Sequence, residues 1–167
     1  RSFKDIAVLY RTNAQSRVIE DQMRRNAISY NLVGGVKFYE RKEIKDIIAY
    51  LRLLVNPDDS ESLWRIINVP KRGVGKVSID KIMQTATAAG KSAFSLLAEP
   101  GIAGISGKTA EELKKLHTTL IQLAAKVEEI PPDDLTRRLI DSIGYVEMLA
   151  AEDSPEADVR ADNVKER

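Results

Sequence analysis

Residues 68–83, NVPKRGVGKVSIDKIM, restrict the fold more than any other stretch of this chain. Pro70 ends one helix and the basic pair Lys71-Arg72 follows. Gly73-Val74-Gly75 comes next, and a second helix opens near Ser78 with Ile79, Ile82 and Met83 on one side. Two glycines one residue apart give a tight turn whose backbone can approach a ligand with no Cβ in the way. The helix that follows offers unpaired N–H groups and the positive end of its dipole. A phosphate suits such a corner, with Lys71, Arg72 and Lys76 as mobile positive charge around it. The pattern is that of a helix-hairpin-helix turn, which follows a nucleic-acid backbone without reading its bases. The plainer alternative is that the glycines only permit a sharp turn between two core helices.

The 167 residues suffice for a compact domain, and a hydrophobic share of 43% supports a core. The absence of cysteine excludes disulfides, a thiolate nucleophile and a Cys-based zinc site. The single His117 cannot supply a metal cluster and reads as a surface or boundary position on a helix. With no apolar run of membrane-spanning length and no signal-peptide pattern, a soluble, cytoplasmic protein without membrane partners is expected. Charge is uneven. Residues 1–81 hold 16 Lys and Arg against 10 Asp and Glu, whereas residues 82–167 hold 10 against 15. A basic working face on the first half, with a polyanion as partner, follows from that split.

Along the chain, Asp5 to Tyr10 (DIAVLY) predicts a buried strand, and Asn13 caps a helix carrying Val18, Ile19 and Met23. Ile28 to Val33 predicts a second strand, ended by Gly34-Gly35. Strand, helix and strand make a small α/β piece whose sheet needs other members. The character then changes. Ile44, Ile47, Ile48, Leu51, Leu54 and Val55 define an amphipathic helix over Glu43–Val55. Asn56-Pro57 stops it and Ser60 caps the next. Further helices are expected near 78–89, 92–98, 109–129 and 135–143, with Gly90 and Gly144 as stops. Residues 154–167 look like a linker and the opening of a helix without an apolar face, as in a truncated domain. The fold class expected is mainly α: an α/β piece over residues 1–35, then a helical domain over 36–167.

The segments AVLYRTNAQSR (7–17), VGGVKFYERKEIKDIIAYLRLLVNPDD (33–59) and NVPKRGVGKVSIDKI (68–82) resemble the PcrA/UvrD/Rep group of superfamily 1 DNA helicases. The resemblance is dense from Asp5 to Ile82 and thin afterwards. It implies that residues 1–35 open a RecA-like domain, called 2A, and that residues 36–167 are most of an inserted helical domain, 2B. It implies contact with single-stranded DNA at Arg11, Thr12 and Asn13, where an Arg can meet a phosphate and an Asn can bond backbone or base. The alternative is that Asn13 merely caps its helix and Arg11 is a surface charge. The resemblance also aligns Lys71, Arg72, Gly73, Val74, Gly75 and Lys76 with an element that touches duplex DNA, and makes Gly34 and Gly35 a hinge on which 2B swivels. Arg41, Lys42 and Lys45 either face DNA or form the solvated side of their helix. Implied partners are DNA, the rest of the helicase motor, and repair or replication proteins.

Gly104 to Thr109 (GISGKT) ends like a phosphate-binding P-loop, but that pattern requires glycine at position 102, which is Ile102. It reads better as a glycine-rich start to the helix near Thr109, an imperfect second hairpin turn that could rest on DNA. No Walker A or Walker B run is present, so phosphoryl transfer, which needs a phosphate cradle, a metal ligand and a facing arginine together, cannot be assembled here. No catalytic residue, cofactor or metal is expected within these residues. ATP and Mg would belong to the parent enzyme. Two functions remain: a DNA-contacting part of an ATP-driven 3′-to-5′ helicase, or a helical domain for protein contact and regulation whose acidic half docks partners.

Overall fold

The computed structural model describes residues 2–11, 13–33 and 37–165. Among them are eight α-helices: α1 (Asn13–Arg25), α2 (Lys42–Val55), α3 (Ser60–Ile66), α4 (Lys76–Ala89), α5 (Gly107–Ala124), α6 (Pro132–Ile143), α7 (Tyr145–Ala150) and α8 (Pro155–Lys165). They fall into two compact units. One comprises residues 1–45 with 149–167, and the other Asp46–Met148. The chain leaves the first within α2 and returns to it within α7.

The Asp46–Met148 unit is built as the apolar spacing dictates. On α5, Leu113, Leu116, Leu120 and Leu123 recur at three- and four-residue intervals and are all buried. They meet Tyr50, Leu53 and Leu54 of α2, Leu63 and Ile66 of α3, Ile82 of α4, and Leu135 and Leu139 of α6 in one core. Asp59, not Ser60, is the cap of α3: its carboxylate accepts from the Ser62 amide at 3.0 Å and the Ser62 hydroxyl at 2.7 Å. Those bonds hold the Asp59 carboxyl below its ordinary value. Gly90 and Gly144 end α4 and α6. The expected helix over 92–98 is instead a 3-10 turn at Ser95–Leu97, followed by another at Pro100–Ala103. Leu96 and Leu97 of the first of these turns are both buried in the core. His117 is half-buried, its ring 4.9 Å from that of Phe94, and burial lowers its pKa.

The other unit departs further from expectation. Neither Asp5–Tyr10 nor Ile28–Val33 forms a strand among the described residues; a 3-10 turn occupies Phe3–Asp5 and irregular backbone follows. A strand exists only through pairing, and the described residues supply no partner. Leu9, in the run expected to be a buried strand, is 93% exposed, and Val33, at the end of the second expected strand, is 91% exposed. The small α/β piece is therefore not borne out, while the mainly helical class is. Nor is the last helix without a buried side, since α8 buries Ala157, Ala161, Asn163 and Val164. Within α1, the buried Glu20 carboxylate accepts from the Tyr30 hydroxyl at 2.8 Å and from the Phe38 amide at 3.4 Å. Burial foremost, with Glu20 second, raises the Tyr30 pKa.

Candidate nucleic-acid interface

The turn between α3 and α4 is held from inside by side chains that the glycine pattern does not reveal. Asn68 folds its amide oxygen under the loop and accepts from the backbone N–H of Arg72 at 2.7 Å and of Val74 at 3.3 Å. Val74 drops into the core at 3% exposure. The Tyr50 hydroxyl donates to the Val69 carbonyl at 2.6 Å. Arg72 turns inward: its guanidinium donates to the carbonyls of Ile66 at 3.0 Å and Ile67 at 3.3 Å, and to the Tyr50 oxygen at 2.8 Å. It thereby satisfies carbonyls that the end of α3 leaves open. Burial pushes the Tyr50 phenol up to about 12, with Arg72 acting in the opposite direction. The sequence reading placed Arg72 outside as mobile charge. The structure buries it, where its guanidinium joins the Val69 amide on the Ile66 carbonyl and adds bonds to the Ile67 carbonyl and the Tyr50 oxygen.

The outer side of the same turn is open. Gly73, Gly75, Lys76 and Val77 are exposed, as is Lys71. Gly73 has φ +72°, and a Cβ there would stand 2.9 Å from the Thr109 hydroxyl oxygen, which itself lies 3.5 Å from the Gly73 carbonyl and donates to it. Both conformation and space demand glycine at this position. Gly75 differs: its backbone is extended, and a Cβ would meet nothing within 4 Å. It caps α4 with no side-chain hydrogen bond, so the first amides of α4 have no capping oxygen from it.

A second turn repeats this plan. Gly104 has φ +67°, Ile105 is buried, Ser106 caps α5 in extended backbone without a side-chain hydrogen bond, and Lys108 follows in the first turn, exposed. Gly73-Val74-Gly75 and Gly104-Ile105-Ser106 thus share a left-handed glycine, a buried branched residue and an extended cap, and differ in that Gly107, opening α5, is a further left-handed glycine at φ +64° where α4 opens with Lys76. They are also neighbours. Thr109 of α5 lies on Gly73, and Lys81 Nζ would be 4.0 Å from a Cβ on Gly104. A 3-10 turn, not a strand, precedes Gly104, so the local structure does not fit a nucleotide cradle.

The other sequence-derived positions are less defined. Arg11 is exposed, and its amide donates to the Gln15 side chain at 2.9 Å as α1 begins at Asn13. Thr12, Gly34, Gly35 and the Asn13 side chain lie outside the described residues. Arg41, read as a residue facing DNA or solvent, is buried at 9% exposure. Among the described residues no group of His, Asp and Glu side chains could hold a metal ion, and no helix is long and apolar enough to cross a membrane. Sequence reasoning missed Asn68, Tyr50 and Thr109. Only Asn68 carried a signal, as a turn-forming side chain directly before the loop.

Comparison with known proteins places the sequence in a family. Residues 1–130 match the model for the UvrD-like helicase C-terminal domain. The chain is 48% identical over 166 residues to the ATP-dependent DNA helicase PcrA of Bacillus subtilis, covering 99% of this chain and 22% of that protein. It is 40% identical to the helicase of the same name from Staphylococcus aureus and 41% identical to that from Staphylococcus epidermidis, in each case over 99% of this chain and 23% of the relative. The chain spans less than a quarter of the length of these curated relatives.

Proposed function

Because the chain belongs to the UvrD-like helicase family, we propose that it is the DNA-gripping part of an ATP-dependent 3′-to-5′ DNA helicase acting in repair or replication in the cytoplasm. The outer rim of the α3–α4 turn, from Lys71 through Gly73 and Gly75 to Lys76, rests on the sugar-phosphate backbone of duplex DNA. Amides at the start of α4 face phosphate oxygens and the lysines supply charge. Arg72 and Val74 take part from beneath, by fixing the loop. The second turn, with Lys108, lies beside the first and meets the same strand. Arg11, Thr12 and Asn13 contact single-stranded DNA, and Gly34-Gly35 is the hinge between a 2A piece at residues 1–35 and the 2B domain that follows. ATP and Mg act in the parent enzyme outside these residues.

One observation supports this reading above the others. The turn is rigid on its inner side and bare on its outer side: Asn68 engages the inward amides while Gly75 leaves the α4 amides without a cap. A turn needed for packing alone has no use for that asymmetry. The test is an NMR titration of the chain with a forked duplex. Shifts concentrated at Gly73, Gly75, Lys76 and Val77 are expected. Unperturbed turn amides, with binding of a protein partner elsewhere, would favour the domain as a protein-docking module.

A further inference from the structure

The unit formed by residues 1–45 and 149–167 contains a buried polar cluster that the DNA-binding reading does not use. Asn163 of α8 is 4% exposed. Its amide oxygen accepts from Arg41 Nη1 at 2.7 Å, and its amide nitrogen donates to Glu43 Oε1 at 2.8 Å. Only this orientation of the amide suits both neighbours, since guanidinium offers hydrogens alone and carboxylate offers lone pairs alone. Arg41 extends the chain of bonds by donating from Nη2 to the Ser16 hydroxyl of α1 at 2.9 Å, with its guanidinium carbon 5.3 Å from the centre of the Phe38 ring.

The position of these residues along the chain gives the cluster its meaning. Arg41 and Glu43 stand just before the chain leaves this unit at Lys45/Asp46, and Asn163 stands after it has returned at Met148/Leu149. One side-chain amide therefore ties the outgoing and returning segments together and, through Arg41, to α1. The apolar contribution to α8 docking is small, since its buried apolar residues are two alanines and a valine. Burial of that size does little against the entropy of ordering a helix. A buried polar group that is fully paired fixes register, and the same group half-paired is costly.

We propose that Asn163 is the latch of a conformational clasp. With the latch engaged, α8 is docked and both tethers of the Asp46–Met148 unit leave from one anchored point. With it disengaged, α8 undocks from α1 and the returning segment loses its anchor in this unit.

Hydrogen exchange of the intact chain, combined with spin-label distances, tests the clasp. The absence of native cysteine allows labels at Gln22→Cys on α1 and Asp162→Cys on α8, both exposed. Asn163→Leu should speed exchange of α8, of α1 around Ser16 and of the first turn of α2 together, by roughly tenfold to a hundredfold. Exchange in α5 should stay unchanged, and the label distance should broaden. Asn163→Asp should act likewise by setting a carboxylate against Glu43. Adding Glu43→Gln to it restores a donor to that pair and should restore native exchange. Unchanged exchange in α8, acceleration spread evenly over both units, or failure of Glu43→Gln to rescue Asn163→Asp would each overturn the clasp. Should Asn163→Leu fail to fold, the rescue pair decides alone.

Discussion

The guanidinium of Arg72 donates to the phenol oxygen of Tyr50 at 2.8 Å, and that phenol in turn donates to the Val69 carbonyl at 2.6 Å. A charge that sequence places in solvent is thus the internal brace of the turn. Arg72→Ala leaves the Ile67 carbonyl and the Tyr50 oxygen short of a donor and the Ile66 carbonyl with the Val69 amide alone. It should lower stability by about 2–4 kcal/mol in urea denaturation. Arg72→Lys should recover less than half of that loss, because a single ammonium cannot reach all three acceptors in a fixed fork.

Tyr50 makes the same brace sensitive to alkali. Its folded pKa is raised from 10.0 to about 12 by burial. The folded state therefore holds the phenolic proton more tightly than the unfolded state does. The associated stability is fully present below about pH 10 and is lost as pH rises toward 12, amounting to about 2–3 kcal/mol. Denaturation at several alkaline pH values should show this slope, and Tyr50→Phe should remove it relative to the native chain.

The two glycines of the turn should separate in their effects. Gly73→Ala forces a side chain into a left-handed conformation against the Thr109 hydroxyl, and a stability loss of about 1–3 kcal/mol is expected. Thr109→Ala should relieve the contact but not the conformational cost, so the double variant should regain only part of the loss. Gly75→Ala, which meets nothing, should change stability by less than about 1 kcal/mol. Thermal melts of the four proteins give the comparison.

Asp46 is a second internal anchor. At 2% exposure it accepts from the Tyr145 hydroxyl at 2.8 Å and pairs with Arg65 Nε at 2.8 Å. Asp46→Ala should cost about 3 kcal/mol, since two donors lose their acceptor. Tyr145→Phe should cost about 1–2 kcal/mol. Arg65 is more than a third exposed, and its removal should cost less than either. Chemical denaturation of the three variants should return that order.

The legible part of the sequence was the local part. The leucines of α5 and the isoleucines of α2 announce helices because a helical face repeats within a few residues. The Gly73–Gly75 turn is equally visible, since glycine conformations are set where they stand. Asp5–Tyr10 and Ile28–Val33 misled because strand formation depends on a partner that composition cannot supply. Arg41 and Arg72 misled in the opposite sense: their acceptors are Ser16 and Asn163 for one, α3 carbonyls and Tyr50 for the other, and such pairings exist only after folding. The last helix hid its buried side because that side consists of small residues and one asparagine.

The most direct measurement is affinity for a forked duplex as a function of salt, for the native chain and for Lys71→Ala, Lys76→Ala and Gly75→Val. Backbone contact predicts that log affinity falls linearly with log salt, and that each lysine variant reduces the slope by about 1. Gly75→Val should weaken binding alike for unrelated sequences while its circular dichroism stays native. An affinity indifferent to salt, or one that all three substitutions leave unchanged, would contradict the assignment of this turn to the DNA backbone.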